Sequence, residues 1–319
     1  MTAFTAKVLC LLFVECLQNL AVFSVVAGFW MLSVPLTGLF LLYCVVFNHF
    51  IFLLAVGLPY GFLLWATYDL PWRGGLPWTA DLPADRNYLL CSHPHGIIAM
   101  GSSLVGGVMR PDFEKHFPGL DTRLVTLTGQ FRWPFRREFT LINGGVCSSR
   151  ESIDYALSQE KKGKALVLVV GGLSECLATR PGRVLLKLKH RRGFVRTALR
   201  NGASLVPLFH FGENELFAQY TGEQPARFRN MQCRLKSILG FMPPLPLGSS
   251  LLGLPLGMVP RRSKLTSVMG SPIDVPLVAS PTDEEVDGLF HRYIDALVDL
   301  FESHKEAHGV PRHVHLEFY

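Results

Sequence analysis

From Met1 to Tyr68 the chain carries only two charged side chains, Lys7 and Glu15. No other feature restricts the fold as much. Leu20–Phe47 and Phe50–Thr67 are uncharged, and only Asn48 and His49 separate them. A helix needs roughly 20 apolar residues to cross the hydrocarbon of a bilayer. Pro35 and Gly38 break the first run, and Pro59 and Gly61 break the second. The expectation is a membrane-embedded helical hairpin over residues 1–68 that turns near Ser33–Thr37, with three shorter segments as the alternative. A pair of buried core helices would not run so long with so few charges. A cleaved signal peptide would be far shorter and would end at a small-residue cleavage site.

No Lys or Arg falls between Lys7 and Arg73, and basic residues become common directly afterwards. The bias of positive charge to the cytosolic side predicts that the remainder faces the cytosol. The seven cysteines form no C-x-x-C pair, and there is no Asn-x-Ser/Thr sequon. Neither a disulfide framework nor a zinc site nor a lumenal surface is indicated. All but one of the 31 Lys and Arg residues, and all but one of the 25 Asp and Glu, lie after the apolar run. Residues 69–86 then read as a short linker and 87–319 as a globular domain.

Within that domain short apolar runs recur at Tyr88–Cys91, Leu124–Leu127, Ala165–Val170, Ser204–Phe209 and Leu265–Met269. Helical patterns lie between them, at Ser149–Gln159 and Gly193–Asn201. Strand–helix–strand alternation predicts an α/β sheet with parallel pairs. Near the C-terminus Thr282-Asp283-Glu284-Glu285 is a capping box. The apolar stripe from Val286 to Phe301 that follows makes this helix a packing element.

The first candidate chemistry sits at the end of the first strand, in His93-Pro94-His95-Gly96. Open α/β sheets carry their chemistry at strand ends, and imidazole can take and return a proton near neutral pH. The plainer reading is a polar turn that closes the strand. A second strand end carries Gly171-Gly172-Leu173-Ser174-Glu175. Glu175 is placed to orient an imidazole if that loop adjoins the first, and the N–H groups of Gly171 and Gly172 are placed to meet an oxyanion. A third strand end carries Phe211-Gly212-Glu213-Asn214-Glu215, where Glu213 and Asn214 are candidates for the acceptor site. Gly96 is a further candidate for substrate contact. Between Arg180 and Arg200 eight basic residues occur with no acid from Cys176 through Gly212. That density suits a polyphosphate or an anionic membrane face, with Lys187, Lys189, Arg191 and Arg192 as its centre. No metal site is indicated. Nucleic acid is a poor fit, because few aromatic residues interleave the charge. There is no G-x-S-x-G elbow, Walker A loop or G-x-G-x-x-G.

Block by block, the chain after Tyr68 resembles the family of type 2 acyl-CoA:diacylglycerol acyltransferases, monoacylglycerol acyltransferases and wax alcohol acyltransferases. The blocks are Tyr68-Asp69 with Arg73-Gly74-Gly75, His93-Pro94-His95-Gly96, Phe117-Pro118-Gly119, Arg137-Glu138 and Gly144-Gly145-Val146-Cys147. They continue with Val169-Val170-Gly171-Gly172 and Glu175, Arg192-Gly193-Phe194-Val195, Leu205-Val206-Pro207, Phe211-Gly212-Glu213-Asn214-Glu215, and His304-Lys305. The resemblance implies a glycerolipid-acyltransferase-like α/β domain behind the hairpin, in a multi-pass protein of the endoplasmic reticulum membrane with a cytosolic catalytic domain. It implies acyl-CoA as co-substrate, no bound cofactor, and catalysis by His93 and His95. A looser similarity leads to phospholipid acyltransferases with a His-x4-Asp motif. Here Ile98 stands in the aspartate's place, which makes Glu175 the candidate carboxylate. Two elements depart from the family pattern. The segment after Gly75 is short, and Pro243-Pro244-Leu245-Pro246-Leu247-Gly248 replaces a Phe-x-Gly-Arg-Gly element after Phe241.

The expected function is esterification of a neutral-lipid hydroxyl, with monoacylglycerol as first acceptor and diacylglycerol as a further one. A long-chain alcohol acceptor, or a lipid-binding paralogue with weakened catalysis, is the alternative. The lipid bilayer is an expected partner, and self-association is left open.

Overall fold

The computed structural model describes residues 81–319 apart from 109, 133–135, 158–161, 177, 181, 220–245 and 249–259. The expected hairpin over 1–68 and most of the linker lie outside the described residues. Among those described, no helix is long and apolar enough to cross a membrane.

The domain is mixed α/β. Its main sheet contains β1 (Tyr88–His93), β2 (Asp121–Thr126), β3 (Val146–Cys147), β4 (Lys164–Val169), β6 (Ser204–Phe211) and β9 (Thr266–Met269). The order is β3-β2-β4-β1-β6-β9. All pairs are parallel except β6 with β9. A short parallel pair joins β5 (Val184–Leu186) to β10 (Leu316–Phe318), and an antiparallel pair joins β7 (Ala218–Gln219) to β8 (Pro246–Leu247).

β1 lies between β4 and β6 and is buried along its whole length. Covered faces explain its unbroken Tyr-Leu-Leu-Cys run, since a strand buried on both sides needs no polar alternation. Successive side chains still point to opposite faces. Leu89 and Cys91 join a core with α4 (Arg150–Leu157), α6 (Gly193–Asn201) and α8 (Asp283–His304). Tyr88 and Leu90 join a second core with Val105, Phe113 and Phe117. These come from a π-helical segment (Leu104–Val108), α2 (Arg110–His116) and the turn after it. A four-residue helix, α1 (Met100–Ser103), opens that layer, and α3 (Arg136–Ile142) lies between β2 and β3.

α8 begins as the capping box predicts. Thr282 Oγ1 accepts the Glu285 N–H at 3.2 Å, and the Glu285 carboxylate accepts the Thr282 N–H at 2.8 Å. Val286, Leu289, Phe290, Tyr293, Leu297, Leu300 and Phe301 are buried on one stripe. Each large apolar side chain so covered contributes about 1.5–3 kcal/mol. At the far end Lys305 is buried, pairs with Glu302 at 2.6 Å, and donates to the Arg312 and Val314 carbonyls. The helix thereby fixes the tail that supplies β10 against β5.

Candidate active site

The register of β1 decides where its last residues point. His93 follows Cys91 by two and therefore faces the α8 layer, while Ser92 faces the α1 layer. His93 is fully buried, and its Nε2 lies 2.7 Å from Tyr293 Oη on α8. Its Nδ1 has no hydrogen-bond partner among the described residues. Burial, with His210 a smaller contributor, presses its pKa to about 3, so the ring is neutral at ordinary pH. On the other face Ser92 Oγ bonds Ser102 Oγ and lies 2.7 Å from His210 Nε2, and His210 Nδ1 lies 2.6 Å from Ser267 Oγ. Both nitrogens of His210 are satisfied, which fits a ring that fastens β1, β6 and β9 together.

Adjacent strands bring the expected loops to one edge. β4 and β6 flank β1, so the loops after Val169 and Phe211 sit on either side of the His-Pro-His-Gly turn. Each supplies a buried carboxylate. Glu175, on α5 (Leu173–Cys176), accepts the His95 N–H at 2.6 Å and the Lys187 N–H at 2.9 Å. Glu213, on α7 (Glu213–Leu216), accepts the Met100 and Gly101 N–H groups at 2.9 and 2.7 Å. Burial pushes both carboxyl groups up, that of Glu213 to about 7, while the donated N–H bonds pull the other way. The glycines of the two motifs make room for these carboxylates. A Cβ on Gly96 would lie 2.6 Å from Glu213 Cγ, and one on Gly171 would overlap the Glu175 carboxylate.

Among the described residues no hydrogen bond joins Glu175 to either imidazole. Both its oxygens are taken by backbone N–H groups, so it holds the turn, and the group on the His93 ring is Tyr293. Nothing in the sequence flagged Tyr293 beyond its being the polar-tipped member of an otherwise apolar stripe. The His95 ring is half-buried, with Nδ1 3.0 Å from the Gly96 carbonyl and 3.0 Å from Cys176 Sγ. Burial lowers its pKa. Cys176 beside His95 has the outline of a nucleophile pair. Burial first, and Glu175 second, push the thiol to about 12, so it stays protonated and is a poor nucleophile. Asn214 donates to the Arg183 carbonyl at 3.0 Å, and its buried Oδ1 has no partner among the described residues. Gly172 takes the left-handed conformation at the start of the turn into α5.

The basic stretch divides in two. Its acids come from far along the chain, which a local reading could not see. Arg183 pairs with Glu317, Arg196 with Asp283, and Arg200 with Asp154. Arg192 pairs with Asp287 at 2.6 Å and lies 3.4 Å over the Phe290 ring. Arg192 thus ties the start of α6 to α8, a contact the sequence reading of an anion site did not include. Lys187, Lys189 and Arg191 form no close ion pair among the described residues, although Arg191 is near enough to Glu175 to help stabilise its carboxylate. Lys187 holds Glu175 through its backbone, and Arg191 reaches Ser174 Oγ at 3.5 Å, so both border the site.

The candidate site is thus built where central β1 ends in His93 and runs into the turn that carries His95, with buried carboxylates from the loops after β4 and β6 bonded around it and Lys187 and Arg191 at its border. Residues 66–319 match the family model described as diacylglycerol acyltransferase, and the chain belongs to that family. It is 40% identical to human diacylglycerol O-acyltransferase 2 over 235 residues, 73% of this chain and 60% of that protein. It is 42% identical to human 2-acylglycerol O-acyltransferase 3 over 242 residues, 75% of this chain and 71% of that protein. The match thus spans under two thirds of the first relative's length. Among solved structures, the 1-acyl-sn-glycerophosphate acyltransferase of Thermotoga maritima covers 89% of this chain and 97% of its own, at 14% identity and a TM-score of 0.37. That likeness is too distant to bear on the site.

Proposed function

We propose that this chain transfers an acyl group from acyl-CoA to the hydroxyl of a neutral lipid, with monoacylglycerol the first acceptor and diacylglycerol a further one. The observation that carries this reading is the buried Nδ1 of His93, which has no hydrogen-bond partner among the described residues and lies at the strand end where three loops meet. His93 takes the acceptor's hydroxyl proton as that oxygen attacks the thioester carbonyl. The carbon–sulfur bond then breaks, and the coenzyme A thiolate takes the proton back. A thioester is already activated, so positioning and proton transfer suffice, and the reading calls for no metal or bound cofactor. A ring pressed to about 3 is a weak base before substrate binds. Its proton is taken up only as an oxyanion forms nearby, and in a buried site that opposite charge offsets the burial penalty. His95, Gly96, Glu175 and Glu213 shape the turn that presents the base, with Gly171, Gly172 and Asn214 around it.

Release of free thiol from acyl-CoA tests the transfer. It should require both the chain and an added acylglycerol. Thiol release without acceptor would mean hydrolysis and would contradict the reading.

Lys187, Lys189 and Arg191 are assigned to the phosphates of coenzyme A. Neutralising them in pairs should raise the KM for acyl-CoA several-fold and leave the KM for acceptor unchanged. Arg192→Ala should instead lower the melting temperature with little change in that KM. If the paired variants lose binding to anionic vesicles and keep their KM, the charges serve the membrane surface.

The hairpin over 1–68 is proposed to anchor the chain in the endoplasmic reticulum membrane with the domain cytosolic, where acyl-CoA is soluble and the acceptor lies in the bilayer. Alkaline carbonate should fail to extract the chain. Protease should degrade the domain in intact microsomes without detergent, and protection until detergent is added would overturn the topology.

A further inference from the structure

His93 is held by a phenol, and the arrangement of that contact selects one tautomer. Tyr293 Oη lies 2.7 Å from His93 Nε2 and, at a longer 3.5 Å, from the Cys91 carbonyl oxygen. A carbonyl only accepts, and a phenol has one proton to give. Both contacts are met when Tyr293 donates to Cys91 and the His93 Nε2–H donates to the phenol oxygen. The lone pair then lies on Nδ1, the ring atom with no partner among the described residues. The opposite assignment would leave a buried N–H at Nδ1 with no acceptor, and buried orphan donors are rare in folded proteins.

We propose that Tyr293 is the positioning residue of the site, fixing His93 as the tautomer whose Nδ1 is free to accept the proton of the acceptor hydroxyl. Tyr293 is suited to this by its packing. Its ring is fully buried on α8 and meets Phe194 of α6 edge-on, with centroids 5.0 Å apart. The oxygen's position is therefore set by the core, independently of substrate. Burial also raises the phenol well above its ordinary pKa, so it stays a neutral partner. Among the described residues no carboxylate bonds the His93 ring, and Glu175 accepts instead from two backbone N–H groups. Through the reaction the Nε2 proton stays on its nitrogen. The hydroxyl proton moves to Nδ1 as the ester oxygen–carbon bond forms, and it leaves on the coenzyme A sulfur as the carbon–sulfur bond breaks.

This inference rests on His93 being the base, and the test separates the two. Tyr293→Phe keeps the ring and its contact with Phe194 while removing the oxygen. In the full chain, kcat should fall about ten- to hundredfold. The KM for acyl-CoA and the melting temperature should stay near wild type. In a His93→Ala background the same change should cost nothing further, because residues that act as one unit are not additive. An equal loss in both backgrounds would make Tyr293 merely structural and overturn the proposal, as would a wild-type kcat in Tyr293→Phe. Retained activity in His93→Ala alone would instead remove the base, and this proposal with it. If Tyr293→Phe does not fold, 3-fluorotyrosine at position 293 replaces it. That side chain is a poorer acceptor for the Nε2–H, so kcat should fall measurably; an unchanged or higher kcat overturns the assignment.

Discussion

Replacing His93 with alanine should lower turnover by about two to four orders of magnitude, the range for loss of a positioned general base. The chain should still fold, because β1 keeps its ladder to β4 and β6 and the residue removed lies at the strand's last position. A labelled-ester assay on membranes with matched protein levels reads the effect. Activity near wild type would shift the chemistry to His95. The variant should also change how stability depends on pH. The folded His93 ring stays neutral down to about 3, while the unfolded one takes a proton near 6.5. His93 therefore costs stability as pH falls between those values, by about 1.4 kcal/mol per pH unit. His210 acts in the same sense. Glu213, raised to about 7, acts in the opposite one: its contribution is full below the ordinary carboxyl range and is lost as pH rises through 7. His93→Ala should flatten the acid side of a melting series, and an unchanged acid slope would contradict a buried neutral ring.

Glu175→Gln should also lower turnover, less than His93→Ala and by a different route. One amide oxygen replaces two carboxylate oxygens, so either the His95 or the Lys187 N–H meets an NH2 group instead of an acceptor. A buried donor left unpaired costs about 1–3 kcal/mol. The strain falls on the turn between His93 and Gly96, so kcat should drop about tenfold or more, because small displacements of reacting groups are costly. If Glu175 instead oriented the His93 ring, the variant would resemble His93→Ala in kcat and leave the melting temperature unchanged. A lowered melting temperature together with lowered kcat is the expected signature.

The strands and their order of function were legible because buried parallel strands write unbroken apolar runs, and Tyr88–Cys91, Ala165–Val170 and Ser204–Phe209 are such runs. The helix after Thr282 was legible through its capping box. The short pairings were not. β3 and β10 are too brief to carry a period, and β5 and β10 join residues that lie far apart in the chain. At the site, local motifs named His93, His95, Glu175 and Glu213, but motif spacing says nothing of contacts between distant elements. The Tyr293 contact with His93 spans 200 residues, and the Asp287 contact with Arg192 spans 95. Each depends on how α8 lies across the sheet. For the same reason the basic stretch looked more uniform than it is, since its acids arrive from α4, α8 and β10.

Ester formation between the acyl group of acyl-CoA and a neutral-lipid hydroxyl can be read from its product. The direct measurement is to give membranes containing the full chain labelled acyl-CoA with monoacylglycerol, diacylglycerol or a long-chain alcohol, and to identify the labelled product. Labelled diacylglycerol should form from monoacylglycerol, with a lesser yield of triacylglycerol from diacylglycerol, and both should be lost in His93→Ala. Wax ester as the sole product would contradict the acceptor assignment. No ester with any acceptor, from a chain that still binds lipid, would contradict the catalytic claim itself and leave a lipid-binding protein in its place.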